Sequence, residues 1–142
     1  MVPIERFRKL AIKRGLTPSG LLDASPEDFD LLFLTLRREF LIASSYTERE
    51  VNELIRAWLV SVGGMLAVDH VELRRWLVDL AILSRDVYGH AYTVAAMPSH
   101  LLKLDTDTAL LDFKREFADA NARESQKRAV RKAAWQQAEI GD

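Results

Sequence analysis

Two adjacent arginines in a run of helical period are the residues of this chain best suited to recognition chemistry. They stand in Asp69-His70-Val71-Glu72-Leu73-Arg74-Arg75-Trp76-Leu77-Val78-Asp79. An arginine fork can bond a guanine edge at two points or clasp a phosphate. With Leu73, Leu77 and Leu80 turned inward, Val71, Arg75 and Val78 point furthest out and Arg74 lies at the border. Arg85, Tyr88 and His90 follow around Gly89. His70, Val71, Arg74, Arg75, Arg85, Tyr88 and His90 are therefore the candidate set for double-stranded DNA. Lys127, Arg128, Arg131 and Lys132 form a second basic group, which is either a phosphate clamp or the solvated side of a helix. Arg75 can equally pair with Asp79 one turn on. The two valines and the acids Glu72 and Asp79 beside it also suit a protein partner.

Other chemistries find little support. His70, His90 and His100 lack the one-turn spacing that puts two imidazoles on one metal, so no metal site is expected. Gly63-Gly64 is not followed by the lysine of a phosphate loop. Glu48, Glu50 and Glu53 are explained by capping and solvation rather than by paired acid–base work. Neither an enzyme nor a bound cofactor is expected. Tyr46 and Trp58 have a ring for base stacking, but their helical spacing makes them core residues, and Tyr92 is open to either use.

These side chains need elements to hold them. Thr47 and Glu50 have the spacing of a reciprocal cap, and Val51, Leu54, Ile55, Trp58 and Leu59 follow as one apolar stripe. Asp69 and Glu72 open a second helix in the same way. The Gly63-Gly64 pair breaks the period between them. After Leu80 the period changes to two, and residues 82–87 and 90–95 read as strands. Tyrosine avoids positive φ, so a four-residue turn ending at Gly89 is expected between them.

Upstream, Pro3 to Arg14 reads as a short basic helix stopped at Gly15, with Phe7, Leu10 and Ala11 as its apolar side. Thr17-Pro18-Ser19-Gly20 reads as a turn. A helix capped by Ser25, with Pro26 at its first position, is expected to run to about Ala43 with Phe29, Leu32, Phe33, Leu36 and Phe40 inward. Downstream, helix is expected again from about Asp107, with Leu110, Phe113 and Phe117 in register and a polar middle. Val130, Ala134 and Trp135 make a weak second apolar patch. Such a helix has little to bury on one monomer. It is expected to pair with a second copy, giving a homodimer with this helix in its interface; the alternative is a disordered basic tail.

The motif Tyr46-Thr47-Glu48-Arg49-Glu50-Val51-Asn52-Glu53, then Leu73-Arg74-Arg75-x-Leu77-Val78-Asp79, then Leu83-x-Arg85 with Gly89 and Tyr92, resembles the bacterial family catalogued as domain of unknown function 2087. The resemblance spans roughly residues 38–94. It implies a winged-helix-like fold and, loosely, an association with transcriptional regulators. It carries no catalytic residues. The linker from Ser61 to Val68 is longer than the family's, a departure that bears on the angle between the two helices.

At 142 residues, with 49% hydrophobic and 29% charged, the chain has material for one core with helical extensions. The absence of cysteine removes disulfides and thiolate chemistry and suits a reducing cytoplasm. The longest uncharged run is too short and too glycine-rich to span a bilayer, so no membrane partner is expected. The net charge of −1 argues against a generic polyanion binder. That charge is uneven: residues 1–16 carry five basic and one acidic, residues 113–135 seven and three, and residues 44–96 five and seven. The expected architecture is mainly α: a basic helix and turn over residues 1–24, a winged-helix module of three helices and a two-stranded β wing over 25–96, and a helical extension over 97–142. The expected function is that of a cytoplasmic DNA-binding transcriptional regulator. The alternative is a protein–protein interaction module of the same fold.

Overall fold

The computed structural model describes residues 1–140. Its element order is α1 (Pro3–Ala11), α2 (Pro18–Ala24), α3 (Pro26–Arg37), a 3-10 turn (Arg38–Phe40), α4 (Glu48–Ser61), α5 (His70–Asp79), β1 (Leu83–Arg85), β2 (Tyr92–Val94), a 3-10 turn (Ser99–Leu101), α6 (Leu102–Asp107) and α7 (Phe113–Ile140). The chain is thus mainly helical, with a small antiparallel sheet in which Leu83 faces Val94 and Arg85 faces Tyr92.

The central pair of helices starts as its sequence dictates. Thr47 Oγ1 accepts from the Glu50 amide at 3.1 Å and Glu50 Oε1 accepts from the Thr47 amide at 3.0 Å. That hydrogen bond from the Thr47 backbone holds the Glu50 carboxyl below its usual range. Asp69 Oδ1 accepts from the Glu72 amide at 2.8 Å. Val51, Ile55 and Trp58 are buried from α4, and Leu73 and Leu77 from α5.

Four local expectations are corrected. The residues 17–20 are a helix start rather than a free turn: Thr17 caps α2 by accepting from the Gly20 amide at 3.1 Å, with Pro18 at the first helical position. The helix α3 ends at Arg37 and tightens into a 3-10 turn instead of reaching Ala43. Its exit is held by the Tyr46 hydroxyl, which accepts from the amides of Ile42 at 3.2 Å and Ala43 at 2.8 Å. Downstream, α6 ends where a helix was expected to begin, and Leu110 lies exposed in the link. Asp112 then starts α7 by accepting from the Arg115 amide at 3.1 Å. The strands are shorter than their sequence runs, at three residues each.

The long linker between α4 and α5 has a partner. Leu16 forms a parallel bridge with Leu66, its amide donating to Met65 O at 3.0 Å while the Ala67 amide donates to Leu16 O at 2.7 Å. Met65 is fully buried. The extra residues therefore brace the N-terminal segment against the module.

Beyond α5 the chain reverses through a left-handed residue, Ala81, with φ of 56°. The Ile82 amide reaches back to Leu77 O at 2.9 Å, the six-to-one bond of a Schellman stop. An alanine in that conformation is strained by about 1–2 kcal/mol, partly offset by glycine's greater unfolded-state entropy. Ala81→Gly should raise the unfolding free energy by about 0.5–1 kcal/mol. An unchanged or lowered urea midpoint would contradict it.

One core joins the extensions to the module. It contains Phe7, Leu10 and Ala11 of α1, Phe29, Leu32, Phe33 and Leu36 of α3, and Phe113 and Ala120 of α7. Phe7 meets Phe113 edge-on at 4.8 Å, and Trp76 meets Phe29 at 5.5 Å. The last part of α7 leaves this core. Residues 125–140 are all exposed, about 24 Å of helix at 1.5 Å per residue. Arg128 and Arg131 both lie close to Glu124, at 3.8 and 3.4 Å. Among the described residues no helix is long and apolar enough to cross a membrane.

Candidate nucleic-acid interface

The two arginines that are neighbours in sequence have different environments. Arg74 lies largely within the fold: its Nη1 donates to Asn52 Oδ1 at 2.6 Å and its Nη2 stands 3.5 Å from Glu48 Oε1. The same Glu48 oxygen accepts from the Tyr92 hydroxyl at 3.3 Å. Arg74 therefore ties α5 to α4 and, through Glu48, to β2. Tyr92 is buried, a core residue like Tyr46 and Trp58, and burial pushes its phenol above the usual tyrosine range.

Arg75 is exposed and makes no hydrogen bond or ion pair with any described residue, the Asp79 pairing included. Glu72 and Asp79 are exposed beside it, while Val71 and Val78 are half-buried. His70, at the start of α5, sits 3.2 Å from the Arg56 guanidinium through Nε2.

The hairpin buries Leu83 and Tyr92 and presents its turn residues outward. Its turn is closed by the Gly89 amide donating to Asp86 O at 3.1 Å, with Gly89 at φ of 71°. This is the expected four-residue turn ending at Gly89. The Arg85 guanidinium lies over that glycine, where a Cβ would come within 2.3 Å of it. Asp86 Oδ1 accepts from the His90 amide at 2.8 Å, and this bond holds its carboxyl below the usual range. Tyr88 and His90 stack at 6.2 Å, and Val87 and Tyr88 are 94% and 77% exposed.

The structure thus brings Arg85, Tyr88 and His90 together on one hairpin, and presents Arg75 on the outer side of α5. Lys127, Arg128, Arg131 and Lys132 are exposed on α7, outside this module. Sequence reasoning missed the intramolecular ties of Arg74. The Glu48 and Asn52 partners stand four residues apart on one side of α4, a spacing visible in advance, but their meeting with α5 depends on how the two helices cross. Among the described residues no histidine or carboxylate cluster is arranged to hold a metal ion.

No match was found among curated proteins or among solved structures. A family model does match, over residues 30–94, which run from within α3 to the end of β2 and so include one more helix than the motif alone. For that segment the match supports membership of the family described as "Uncharacterized protein conserved in bacteria (DUF2087)".

Proposed function

We propose that the segment from α3 to β2 is a winged-helix DNA-binding module and that the chain is a non-enzymatic transcriptional regulator of the cytoplasm. The observation that carries this reading is the antiparallel bridge between Tyr46 and Tyr92, in which each amide donates to the other's carbonyl at 2.8 Å. It ties the segment before α4 to the last strand of the hairpin. The order is then helix, a single bridging residue in the position of a winged helix's first strand, two helices and a hairpin that returns to that residue. In this reading α5 enters a major groove with Arg75 foremost, while Arg85, Tyr88 and His90 touch the backbone as the wing. Arg74 positions α5 and does not read bases. The direct test is capture of random genomic fragments on the purified chain: recurrent sequences support the reading, and an unselected or empty pool sinks it.

A second reading has its own support. Val87 and Tyr88 are exposed at the hairpin tip and acids flank Arg75, features suited to a protein partner of the same module. Capture of no DNA, with loss of a protein complex on Tyr88→Ala, would favour it.

Homodimer formation through the projecting end of α7 is part of the proposal. Val130, Trp135 and Ile140 are 58%, 64% and 79% exposed there. At 100° per residue Val130 and Ala134 share a side while Trp135 lies about 140° round from Val130, so the patch is two-sided rather than one stripe. A chain ending at Gln126 keeps every part of α7 that packs on the body. We expect a dimer mass for the full chain and a monomer mass for the shortened one. A full-length monomer refutes the dimer, and dimers in both remove α7 as its cause.

A further inference from the structure

The two basic ends of the sequence lie together in the fold. The helix α1 packs along α7, with Phe7 against Phe113 and the Asn121 side chain donating to Ala11 O at 2.9 Å. Beside this contact runs a groove of about 230 Å³ lined by Arg8, Lys9, Ile12, Arg123, Glu124 and Lys127. We propose that this groove and the helix leading out of it bind the phosphate backbone of duplex DNA, a second contact surface separate from α5 and the hairpin. The proposal rests on the reading of the chain as a DNA-binding protein.

Internal pairing does not consume this charge. Glu116 takes Arg8 at 3.0 Å, and Glu124 takes Arg128 at 3.8 Å and Arg131 at 3.4 Å. Lys9, Arg123 and Lys127 are exposed and have no ion pair among the described residues. Two packed helices that place unbalanced like charges side by side repel each other, and an external polyanion relieves that cost. Beyond Glu124 the next acid is Glu139, so Lys127, Arg128, Arg131 and Lys132 follow with no carboxylate among them. Arg123, Lys127 and Arg131 recur every fourth residue and make one ridge, stepping about 6 Å along the helix.

The occupant follows from what else lines the groove. Ile12 is its one large apolar side chain, which leaves an acidic peptide without the apolar anchors that protein interfaces use. No aromatic ring lines the groove itself and the ridge beyond it carries one, Trp135, which is too few to stack the successive bases of a single strand. A duplex carries a charge about every 1.7 Å of its axis and needs neither. Backbone contact of this kind adds affinity and orientation without reading sequence.

The test is a titration of a fluorescent random-sequence duplex with the full chain over a series of salt concentrations. Three proteins are compared: the natural chain, Lys9→Glu/Arg123→Glu/Lys127→Glu, and Arg75→Ala/Arg85→Ala. All the altered side chains are exposed, and thermal melting checks that each variant folds. Should the charge reversal perturb folding, the milder Lys9→Gln/Arg123→Gln/Lys127→Gln replaces it. Removing three phosphate contacts should flatten the log–log salt slope by about 2.7 and weaken low-salt binding by on the order of tenfold or more. An unchanged slope and affinity in the groove variant overturns the groove while leaving the α5 and hairpin reading standing. Loss in the groove variant with none in Arg75→Ala/Arg85→Ala keeps the groove and removes Arg85 as a backbone contact of the hairpin, while base reading by Arg75 is decided on a captured sequence. Tighter binding of single-stranded DNA, or displacement of the duplex by polyglutamate of equal charge, overturns the duplex as occupant. No binding of any duplex at low salt overturns both.

Discussion

Trp58→Ala should lower the free energy of unfolding by about 3–5 kcal/mol, the range for removing a buried aromatic side chain. Trp58 is 1% exposed, and its indole N–H donates to Thr35 Oγ1 at 3.1 Å, while that hydroxyl donates to Leu32 O at 2.7 Å. The ring therefore anchors α4 on α3 by packing and by a hydrogen bond between buried groups. It also presses on the linker: a Cβ built at Gly63 would stand 2.2 Å from the ring. Little in this site can collapse into the space left, because the linker's course is fixed from the other side by the Leu16–Leu66 bridge. Gly63→Ala attacks the same contact by overfilling it and should cost about 1–3 kcal/mol. Urea unfolding followed by circular dichroism measures both. A loss below about 1 kcal/mol for Trp58→Ala would show that α4 is held mainly by other contacts.

The second large effect separates two adjacent residues by what each change disturbs. Arg75→Ala should weaken binding to a recognised duplex by about 1–3 kcal/mol and relax discrimination at one base pair, with the fold unchanged. Arg75 has no partner among the described residues to lose, and its neighbours Glu72 and Asp79 are solvated. Arg74→Ala should do the reverse. It leaves Asn52 and Glu48 without a cation and costs stability, on the order of 1 kcal/mol after allowance for the exposure of Glu48. Its effect on DNA should then follow from a loosened α5 and should be equal across sequences. Affinity measured beside an unfolding curve for each variant gives the answer. Sequence discrimination lost in Arg74→Ala and kept in Arg75→Ala would exchange their roles.

Much of this arrangement was legible in the residues, where the physics is local. The Thr47–Glu50 cap, the Asp69 cap and the apolar stripe of α4 depend on neighbours within two turns and form as their spacing predicts, whereas α3 buries Leu31, Leu34, Thr35 and Arg37 besides its expected stripe and is covered nearly all round. The turn at Gly89 was legible for the same reason, since it follows from which residues tolerate positive φ. Misreadings arose where a distant group decides. The end of α3 is set by the Tyr46 hydroxyl, and the linker after Gly63-Gly64, read correctly as a break, has a partner in Leu16 that its own residues do not announce. Thr108 was read as part of a helix, but it lies fully buried in a link and bonds the Arg38 guanidinium at 2.7 Å. At the candidate site, the spacing placed Arg75 outward on α5, but Val71 and Val78 are half-buried while Glu72 and Asp79 are exposed, and the withdrawal of Arg74 needs α4 alongside. The uneven charge of the two termini was visible as composition. Its convergence into one groove depends on α1 lying along α7, a contact between residues more than a hundred positions apart.

The most direct test of sequence reading by α5 compares a captured genomic duplex with a shuffled duplex of the same base composition at one fixed salt concentration. Shuffling keeps the phosphates and their counterions while changing the base edges, so backbone terms cancel in the ratio. The account predicts that the natural chain prefers the captured duplex and that Arg75→Ala shrinks the preference by about tenfold or more, leaving shuffled-duplex binding nearly unchanged. Equal binding of the two duplexes by the natural chain, or a preference that survives Arg75→Ala intact, would contradict it.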